Sequence, residues 1–174
     1  MPTRSKALLF ALGAGCAGFA LNGVEMPVFG GTALLFGGVM SLLVAYVYGP
    51  WLGALAAFVA FSKTWLEWQH PTGLICYTLE AVAVGWLSRR TKRPALRASL
   101  FYWTLIGTPF AWAYINFLTP APFPANWAIV LKYPINGMLA AALALPAATS
   151  TRFRRWLQVP QLDYSTEPLG QVLF

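Results

Sequence analysis

One short stretch of the chain carries most of the side chains that could do chemistry. The segment KTWLEWQHPTGLICYTLE, residues 63–80, holds Lys63, Glu67, His70 and Glu80 in an otherwise apolar context. Ionisable groups are costly inside a bilayer, where they face a bundle interior or a cavity. There they pair with one another or bind a charged ligand, so a functional site is expected in this stretch.

Polar residues on other helices lie at depths that match this stretch. Counting about 1.5 Å per residue from the outer helix ends, Glu80 and Asn136 lie about 14 Å deep, and Lys63 and Lys132 about 8 Å deep. A lysine side chain can bend across that offset toward Glu80. Two interpretations stay open: Glu80 pairs with Lys132 or Lys63 to fix helix register, or these groups form the floor of an outward-facing ligand pocket.

The predicted pocket lies between the third, fourth and sixth helices and opens to the outside. Its candidate ligand-binding residues are the charged, aromatic and polar side chains of the outer half: Lys63, Trp65, Glu67, His70, Tyr77, Glu80, Lys132 and Asn136. Two lysines against two glutamates leave the pocket nearly balanced in charge. We therefore expect an amphipathic molecule with a carboxylate or an amine rather than a bare ion.

Metal, cofactor and enzyme sites are not predicted. Glu67 and His70 have the E-x-x-H spacing that di-metal bundles use in duplicate, but the chain has a single histidine. His70 is therefore interpreted as an interfacial histidine or a pH-sensitive gate residue. Cys16 and Cys76 are single thiols within helices, so no disulfide is expected. The chain has no phosphate-binding glycine loop, nucleophile elbow or serine–histidine–acid set, and we predict no enzymatic activity.

Composition places these groups in a membrane protein. Of the 174 residues, 58% are hydrophobic and 10% are charged, and the mean hydropathy is +0.59. Each crossing helix needs roughly 20 apolar residues, so the length suits one all-α bundle of six transmembrane helices over residues 1–150. Residues 151–174 are predicted to be a cytoplasmic linker that leads to a further region.

Most basic residues fall on one side of such a bundle. They precede the first helix, fill the loop after the fourth and follow the last: Arg4, Lys6, Arg89, Arg90, Lys92, Arg93, Arg97, Arg152, Arg154 and Arg155. This is the positive-inside pattern, with both termini cytoplasmic. The net charge of +7 is thus explained by multi-pass topology, and nucleic-acid binding is not expected.

The six predicted helices follow the apolar runs of the sequence. They cover about residues 7–23, 32–48, 51–68, 72–88, 97–117 and 127–148. A cleaved signal peptide is the rival interpretation of the first, and its retention as a membrane helix is the preferred one. Pro109 predicts a kink in the fifth helix, and the proline-rich segment 119–127 predicts a stiff external loop.

The first helix carries a stripe of small residues. Ala7, Ala11 and Gly15 follow one another at four-residue spacing, with Ala14 and Gly18 beside them. Small residues in such a stripe let two helices approach closely. The stripe predicts either packing inside the bundle or a docking face for another protein, and internal packing is the preferred interpretation.

Three segments resemble one family of membrane domains. Residues 65–90, WLEWQHPTGLICYTLEAVAVGWLSRR, resemble the "W-x-HP … lEal-vG-l … RR" stretch of the MASE-like sensor domains at the N-termini of bacterial histidine kinases and GGDEF-type diguanylate cyclases. Residues 101–114 and 131–144 are similar to the "YWlliG-Pl" and "lK-x-x-NG-x-xnAl-A" segments. The matching positions include His70, Pro71, Glu80, Tyr102, Trp103, Gly107, Pro109, Lys132, Asn136 and Gly137. Met138–Ala142 departs from the pattern, because relatives often have a second asparagine there.

The resemblance covers about residues 24–150 and implies a function. It implies an input domain of the bacterial inner membrane that binds a small molecule from the outer side and signals to a cytoplasmic output domain in cis. Membrane lipids are the other expected partners, and a homodimer is left open. More loosely, the chain resembles the substrate-binding S components of energy-coupling-factor transporters, with Gly30-Gly31, Gly49-Pro50 and the small stripe as matching features. That transporter role is the alternative.

The predicted topology can be tested with single cysteines. In a background without Cys16 and Cys76, Gln69→Cys should react with an impermeant thiol reagent on intact cells, because the turn at His70 faces outside. Thr91→Cys should react only after lysis, because it lies in the basic cytoplasmic loop. The reverse pattern of labelling would overturn the model.

Overall fold

Helices form nearly all of the part of the chain that the structure describes. The computed structural model describes residues 4–24, 26–27, 33–91, 95–119 and 123–160. The predictions made for Gly30-Gly31, Lys92 and Arg93 and for residues 120–122 and 161–174 lie outside these ranges. Within them the predicted all-α class is confirmed.

The helices follow one another with short connections. They are α1 (Arg4–Leu21), α2 (Gly37–Tyr48), α3 (Pro50–Trp68), α4 (Thr72–Thr91), α5 (Ala95–Tyr102), α6 (Thr108–Phe117), α7 (Ala125–Thr149) and α8 (Thr151–Trp156). A π-helical turn (Trp103–Gly107) joins α5 to α6. Two short antiparallel strands, β1 (Met26–Pro27) and β2 (Ala33–Leu34), lie between α1 and α2.

The second helix starts later than predicted, at Gly37, because buried asparagines bind the backbone before it. The Asn22 side chain accepts a hydrogen bond from the Gly37 N–H at 2.8 Å and donates one to the Ala60 carbonyl at 2.9 Å. Asn136 of α7 accepts a hydrogen bond from the Leu35 N–H at 3.3 Å. These side chains satisfy backbone groups that a longer helix would have satisfied itself.

The turn between α2 and α3 lies directly against α4. Gly49 has φ 98°, a conformation that glycine adopts without strain, and Pro50 takes the first position of α3. A Cβ at Gly49 would lie 2.5 Å from the Arg89 guanidinium carbon, and a Cβ at Gly85 would lie 2.8 Å from the Pro50 Cα. The predicted Gly49-Pro50 turn is present, and it holds α2, α3 and α4 together at one end.

The predicted kink at Pro109 takes the form of the π-helical turn just before it. The Thr108 N–H donates to the Trp103 carbonyl, five residues back, instead of to the carbonyl four residues back. Proline has no N–H, and its ring clashes with the carbonyl of the preceding turn, so a wider turn accommodates it. The helical run from Ala95 to Phe117 therefore continues, but Trp103 and its neighbours are rotated relative to a regular helix.

The small stripe of α1 packs inside the molecule. Its residues Ala7, Ala11, Ala14, Gly15 and Gly18 are the buried ones of this helix. A Cβ at Gly15 would lie 2.8 Å from the Val59 Cβ of α3, and one at Gly18 would lie 2.8 Å from the Ala60 Cβ. The interpretation of the stripe as internal packing is confirmed, because the surface that would dock a partner already contacts α3.

Two of the described helices, α1 and α7, are long and apolar enough to cross a membrane. The apolar helix α2 is shorter, with 12 residues. At 1.5 Å per residue it extends about 18 Å, less than a hydrocarbon core of roughly 30 Å.

The α1–α3 contact predicts different effects for two glycines of one helix. Gly13 has nothing within 4 Å of an added Cβ, so Gly13→Ala should leave stability unchanged or raise it by up to about 1 kcal/mol through helix propensity. Gly15→Ala should destabilise, because overpacking costs about 1–3 kcal/mol. Thermal unfolding of both variants in detergent micelles measures the difference. Equal stability of the two variants would contradict the packing of α1 on α3.

Candidate functional site

The Glu80 carboxyl group lies in the core of the bundle, with hydrogen-bond donors from the neighbouring helical run. Its side chain is 1% exposed, and Oε1 accepts hydrogen bonds from the Ser99 hydroxyl at 2.6 Å and the Trp103 indole N–H at 2.7 Å. A buried carboxyl group without donors is costly, and short hydrogen bonds of this kind offset that cost. The predicted coupling of Glu80 to Lys132 remains a prediction, since the described donors to Glu80 are Ser99 and Trp103.

Helix α7 packs against the Glu80–Trp103 hydrogen bond at Gly137. A Cβ at Gly137 would lie 2.0 Å from the Trp103 indole nitrogen and 2.6 Å from Glu80 Oε1. Both neighbours are buried, so neither side chain can swing into solvent to make room. Gly137 therefore brings α7 into contact with the bond between α4 and the π-helical turn.

Tyr77 belongs to the aromatic core beside Glu80. Its ring stacks on Phe61 with centroids 4.1 Å apart and meets Trp103 edge-on at 5.5 Å. Its hydroxyl donates to the Tyr133 carbonyl at 3.4 Å. Tyr77 is thus a buried wall of the bundle, and its predicted place in a ligand pocket stays a prediction.

A second group of polar and aromatic side chains surrounds the turn between α3 and α4. We call it the outer cluster; its members are Trp68, His70, Thr72, Tyr114, Lys132 and Tyr133. The Lys132 Nζ lies 3.7 Å from the centre of the Trp68 ring, in a cation–π contact. The His70 ring lies 6.0 Å from Trp68 and 6.3 Å from Tyr114. The cluster thus joins side chains of α3, α4, α6 and α7.

Three polar atoms of the outer cluster are buried without a hydrogen-bond partner. They are His70 Nδ1, Thr72 Oγ1 and the Tyr133 hydroxyl. The Tyr133 hydroxyl interacts with the Thr72 side chain, although their geometry falls short of a full hydrogen bond. Each buried polar atom left unpaired costs about 1–3 kcal/mol. A polar ligand or a water molecule that bonded to these atoms would offset that cost.

The environment of His70 favours the neutral form of its ring. Burial lowers the pKa of His70, and the positive charge of Lys132 lowers it further. A neutral imidazole has one N–H donor and one acceptor nitrogen. Lys132 is therefore the positive charge of the cluster.

Three of the predicted site residues lie apart from this cluster. Lys63 and Glu67 form an ion pair one helical turn apart on α3, and the Lys63 Nζ lies 5.7 Å from the Phe19 ring of α1. Trp65, between them in sequence, is 49% exposed. Lys63 thus lies on the side of α3 that borders α1, and the structure gives it the partner Glu67 rather than Glu80.

Asn136 connects α7 to the strand pair. Besides accepting from Leu35, its side chain donates to the Ala33 carbonyl at 3.5 Å. Of the eight predicted site residues, the structure therefore brings His70 and Lys132 together in the outer cluster. It places Glu80, Tyr77 and Asn136 in the interior and the other three on the outside of α3.

Several important residues were not among the predicted site residues. Trp103 and Gly137 were matching positions of the family resemblance, and that was the signal that could have selected them. Ser99, Thr72 and Tyr133 belong to no spacing pattern, and only the folded arrangement shows what they contact. Among the described residues, no group of three His, Cys, Asp or Glu side chains could hold a metal ion.

Comparison with known proteins gave no match for this chain, whether among protein-family models, curated proteins or solved structures.

The Glu80–Trp103 hydrogen bond predicts a specific loss of stability. Trp103→Phe should cost about 1–3 kcal/mol or more, because it leaves a buried carboxyl oxygen with one donor fewer and opens a small cavity. Trp112→Phe is the control, since Trp112 is 40% exposed on α6 and should cost far less. Thermal unfolding compares the two.

A double-mutant cycle isolates the bond itself. In a Glu80→Leu background the acceptor is gone, so Trp103→Phe should cost markedly less than in the native background. An equal cost in both backgrounds would show that the indole stabilises only by packing.

Proposed function

We propose that this chain is a membrane-embedded, ligand-sensing input domain of a bacterial signalling protein, with six helices crossing the inner membrane and both termini in the cytoplasm. The six crossings would be α1, α2 together with the non-helical residues 33–36 before it, α3, α4, the α5–α6 run and α7. The domain binds a small molecule at the outer cluster and passes the signal to a cytoplasmic output domain. It has no catalytic role of its own.

The observation that carries the proposal is that helix α7 contacts three regions: the outer cluster, the Glu80–Trp103 hydrogen bond and the short helix α8. Near its outer end it contributes Lys132 and Tyr133 to the outer cluster, and in its middle Gly137 contacts the Glu80–Trp103 bond. At its inner end the Arg154 side chain donates to the Ala148 carbonyl at 3.0 Å and the Pro160 carbonyl at 2.7 Å. We expect a shift of α7 at its outer end to displace its inner end.

The irregular segment before α2 supports the membrane part of the proposal. Backbone outside helices is tolerated at membrane depth only where the protein itself satisfies it. Asn22 and Asn136 bind the backbone of Gly37, Leu35 and Ala33 from the inside of the bundle. The apolar helices α1 and α7 and the one-sided basic residues favour the same placement.

The alternative role, an S component of an energy-coupling-factor transporter, finds less support. In that role the small stripe of α1 would dock a transmembrane partner. Gly15 and Gly18 instead contact Val59 and Ala60 of α3. No described contact favours the transporter over the sensor.

The proposed coupling along α7 can be measured without knowing the ligand. Lys132→Met removes the cation–π contact that holds the outer end of α7 to Trp68, so hydrogen exchange of the backbone amides of residues 150–157 should increase in lipid nanodiscs. Leu131→Met is the matched control, because Leu131 is 46% exposed on the same helix. Indistinguishable exchange at the inner end in both variants would argue against a sensor.

A further inference from the structure

We propose that a cavity at the end of the bundle where α1 begins and α8 ends binds the headgroup of an anionic phospholipid. We call it the inner cavity; side chains of α1, α2 and the end of α8 line it: Lys6, Phe10, Tyr48, Trp156, Leu157 and Gln158. The inference rests on the membrane placement in the proposed function. It adds a specific lipid partner at the end of α7 opposite the outer cluster.

Three segments of the chain meet at the inner cavity. The Phe10 ring of α1 lies 5.5 Å from the Tyr48 ring at the end of α2 and 6.4 Å from the Phe153 ring of α8. After α8 the chain turns at Gln158, which has the left-handed φ of 57°. This turn brings Gln158 into the same lining as Lys6. Their amide and ammonium groups can both donate hydrogen bonds to a phosphate oxygen.

The size of the inner cavity suits one small polar group. Its volume is about 140 Å³, whereas pockets that enclose a drug-sized ligand measure about 300–1,000 Å³. Lys6 and Trp156 of the lining are exposed, so the cavity opens to the surface. A phospholipid meets both conditions, because its phosphate can enter the cavity while its acyl chains stay outside in the bilayer.

The charge around the inner cavity favours an anion. Lys6 belongs to the lining, and Arg152 and Arg155 are exposed on the helix that supplies Trp156. The two acidic side chains that the structure describes are engaged elsewhere, one with Lys63 and the other with Ser99 and Trp103. Basic residues at the membrane surface attract anionic lipid headgroups.

The surroundings of the inner cavity favour a lipid over a soluble phosphate ester. Trp156 is 72% exposed, and tryptophan is typical of the membrane interface. On α1, Leu9 and Leu12 are 68% and 37% exposed and follow Lys6 in steps of three residues, so they share its side of the helix. They form an apolar strip on which an acyl chain can lie, and a soluble ester has no group to cover it.

The test compares ligands that share a phosphate group but differ in net charge or in acyl chains. The purified chain in nonionic detergent is titrated with short-chain phosphatidylglycerol, short-chain phosphatidylcholine and glycerol 3-phosphate, and binding and thermal unfolding are recorded. Phosphatidylglycerol should bind about tenfold more tightly than phosphatidylcholine and raise the unfolding temperature, because it carries a net negative charge. Equal binding of the two lipids, or binding of glycerol 3-phosphate as tight as that of phosphatidylglycerol, would overturn the inference.

Two variants of α1 test the role of Lys6. Lys6→Gln should weaken phosphatidylglycerol binding about fivefold, which corresponds to about 1 kcal/mol, and leave phosphatidylcholine binding unchanged. Arg4→Gln is the matched control, because it removes one positive charge from the same end of α1 but lies outside the lining. Equal losses in the two variants would show a general effect of charge and contradict the site.

A second pair of variants tests the apolar wall. Trp156→Leu should weaken the binding of both lipids about threefold, because it removes apolar surface from the lining. Trp51→Leu is the control, since Trp51 is 79% exposed and lies outside the lining; it should leave both affinities unchanged. Unchanged lipid binding in Trp156→Leu would place the lipid elsewhere.

The acidic residues of the segment 161–174 are the rival occupant of the inner cavity. They are Asp163 and Glu167. Neutralising both, with Asp163→Asn and Glu167→Gln, should leave phosphatidylglycerol binding unchanged. A gain of about tenfold that Lys6→Gln removes would show that this segment occupies the cavity, and would overturn the inference.

The experiments separate this inference from the proposed function. Selective phosphatidylglycerol binding that depends on Lys6, without a change in hydrogen exchange at residues 150–157 in Lys132→Met, would support the lipid site and contradict the sensor. A change of exchange there, with equal binding of the two lipids, would support the sensor and contradict the lipid site.

Discussion

The structure depends on one hydrogen bond, between the Glu80 carboxyl group and the Trp103 indole. Burying a carboxyl group needs donors, and the Trp103 indole is placed to provide one because the π-helical turn before Pro109 sets the direction of its side chain. The bond also needs space on its far side, which Gly137 leaves open. This hydrogen bond thereby brings α4, the α5–α6 run and α7 together. It needs the Glu80 carboxyl group of α4, the π-helical turn of the α5–α6 run and Gly137 of α7.

The fold could be predicted from the sequence wherever apolar runs end in clear breakers. The Gly49-Pro50 turn and the ends of α3 and α7 lie within two residues of the prediction, because proline, glycine and the change to polar residues mark them. The start of α2 could not be predicted, since it depends on Asn22 and Asn136, far away in sequence, binding the backbone there. Tertiary hydrogen bonds of this kind leave no local pattern.

The site could be predicted in part, for a different reason. Charged residues in apolar stretches are conspicuous, so Glu80, Lys132 and His70 could be selected as candidates. The depth of each residue along its helix follows from the sequence, but depth does not determine which neighbouring helix a side chain faces. In the structure Lys63 faces α1 and pairs with Glu67. Thr72 and Tyr133 are ordinary residues in sequence, and only the folded structure shows that their hydroxyls are buried without a full hydrogen bond.

The Arg154 side chain affects how an experiment that reverses basic residues to test membrane orientation is interpreted. It is 3% exposed and holds the carbonyls of Ala148 and Pro160, at the negative end of the α7 dipole. Arg152 and Arg155 on the same short helix are exposed. The positive-inside rule gives the three arginines equal weight, but Arg154 also stabilises the fold through its hydrogen bonds. Reversing its charge would break these contacts at the C-terminal end of α7. A test of the proposed topology by charge reversal is therefore clearest at Arg152 and Arg155.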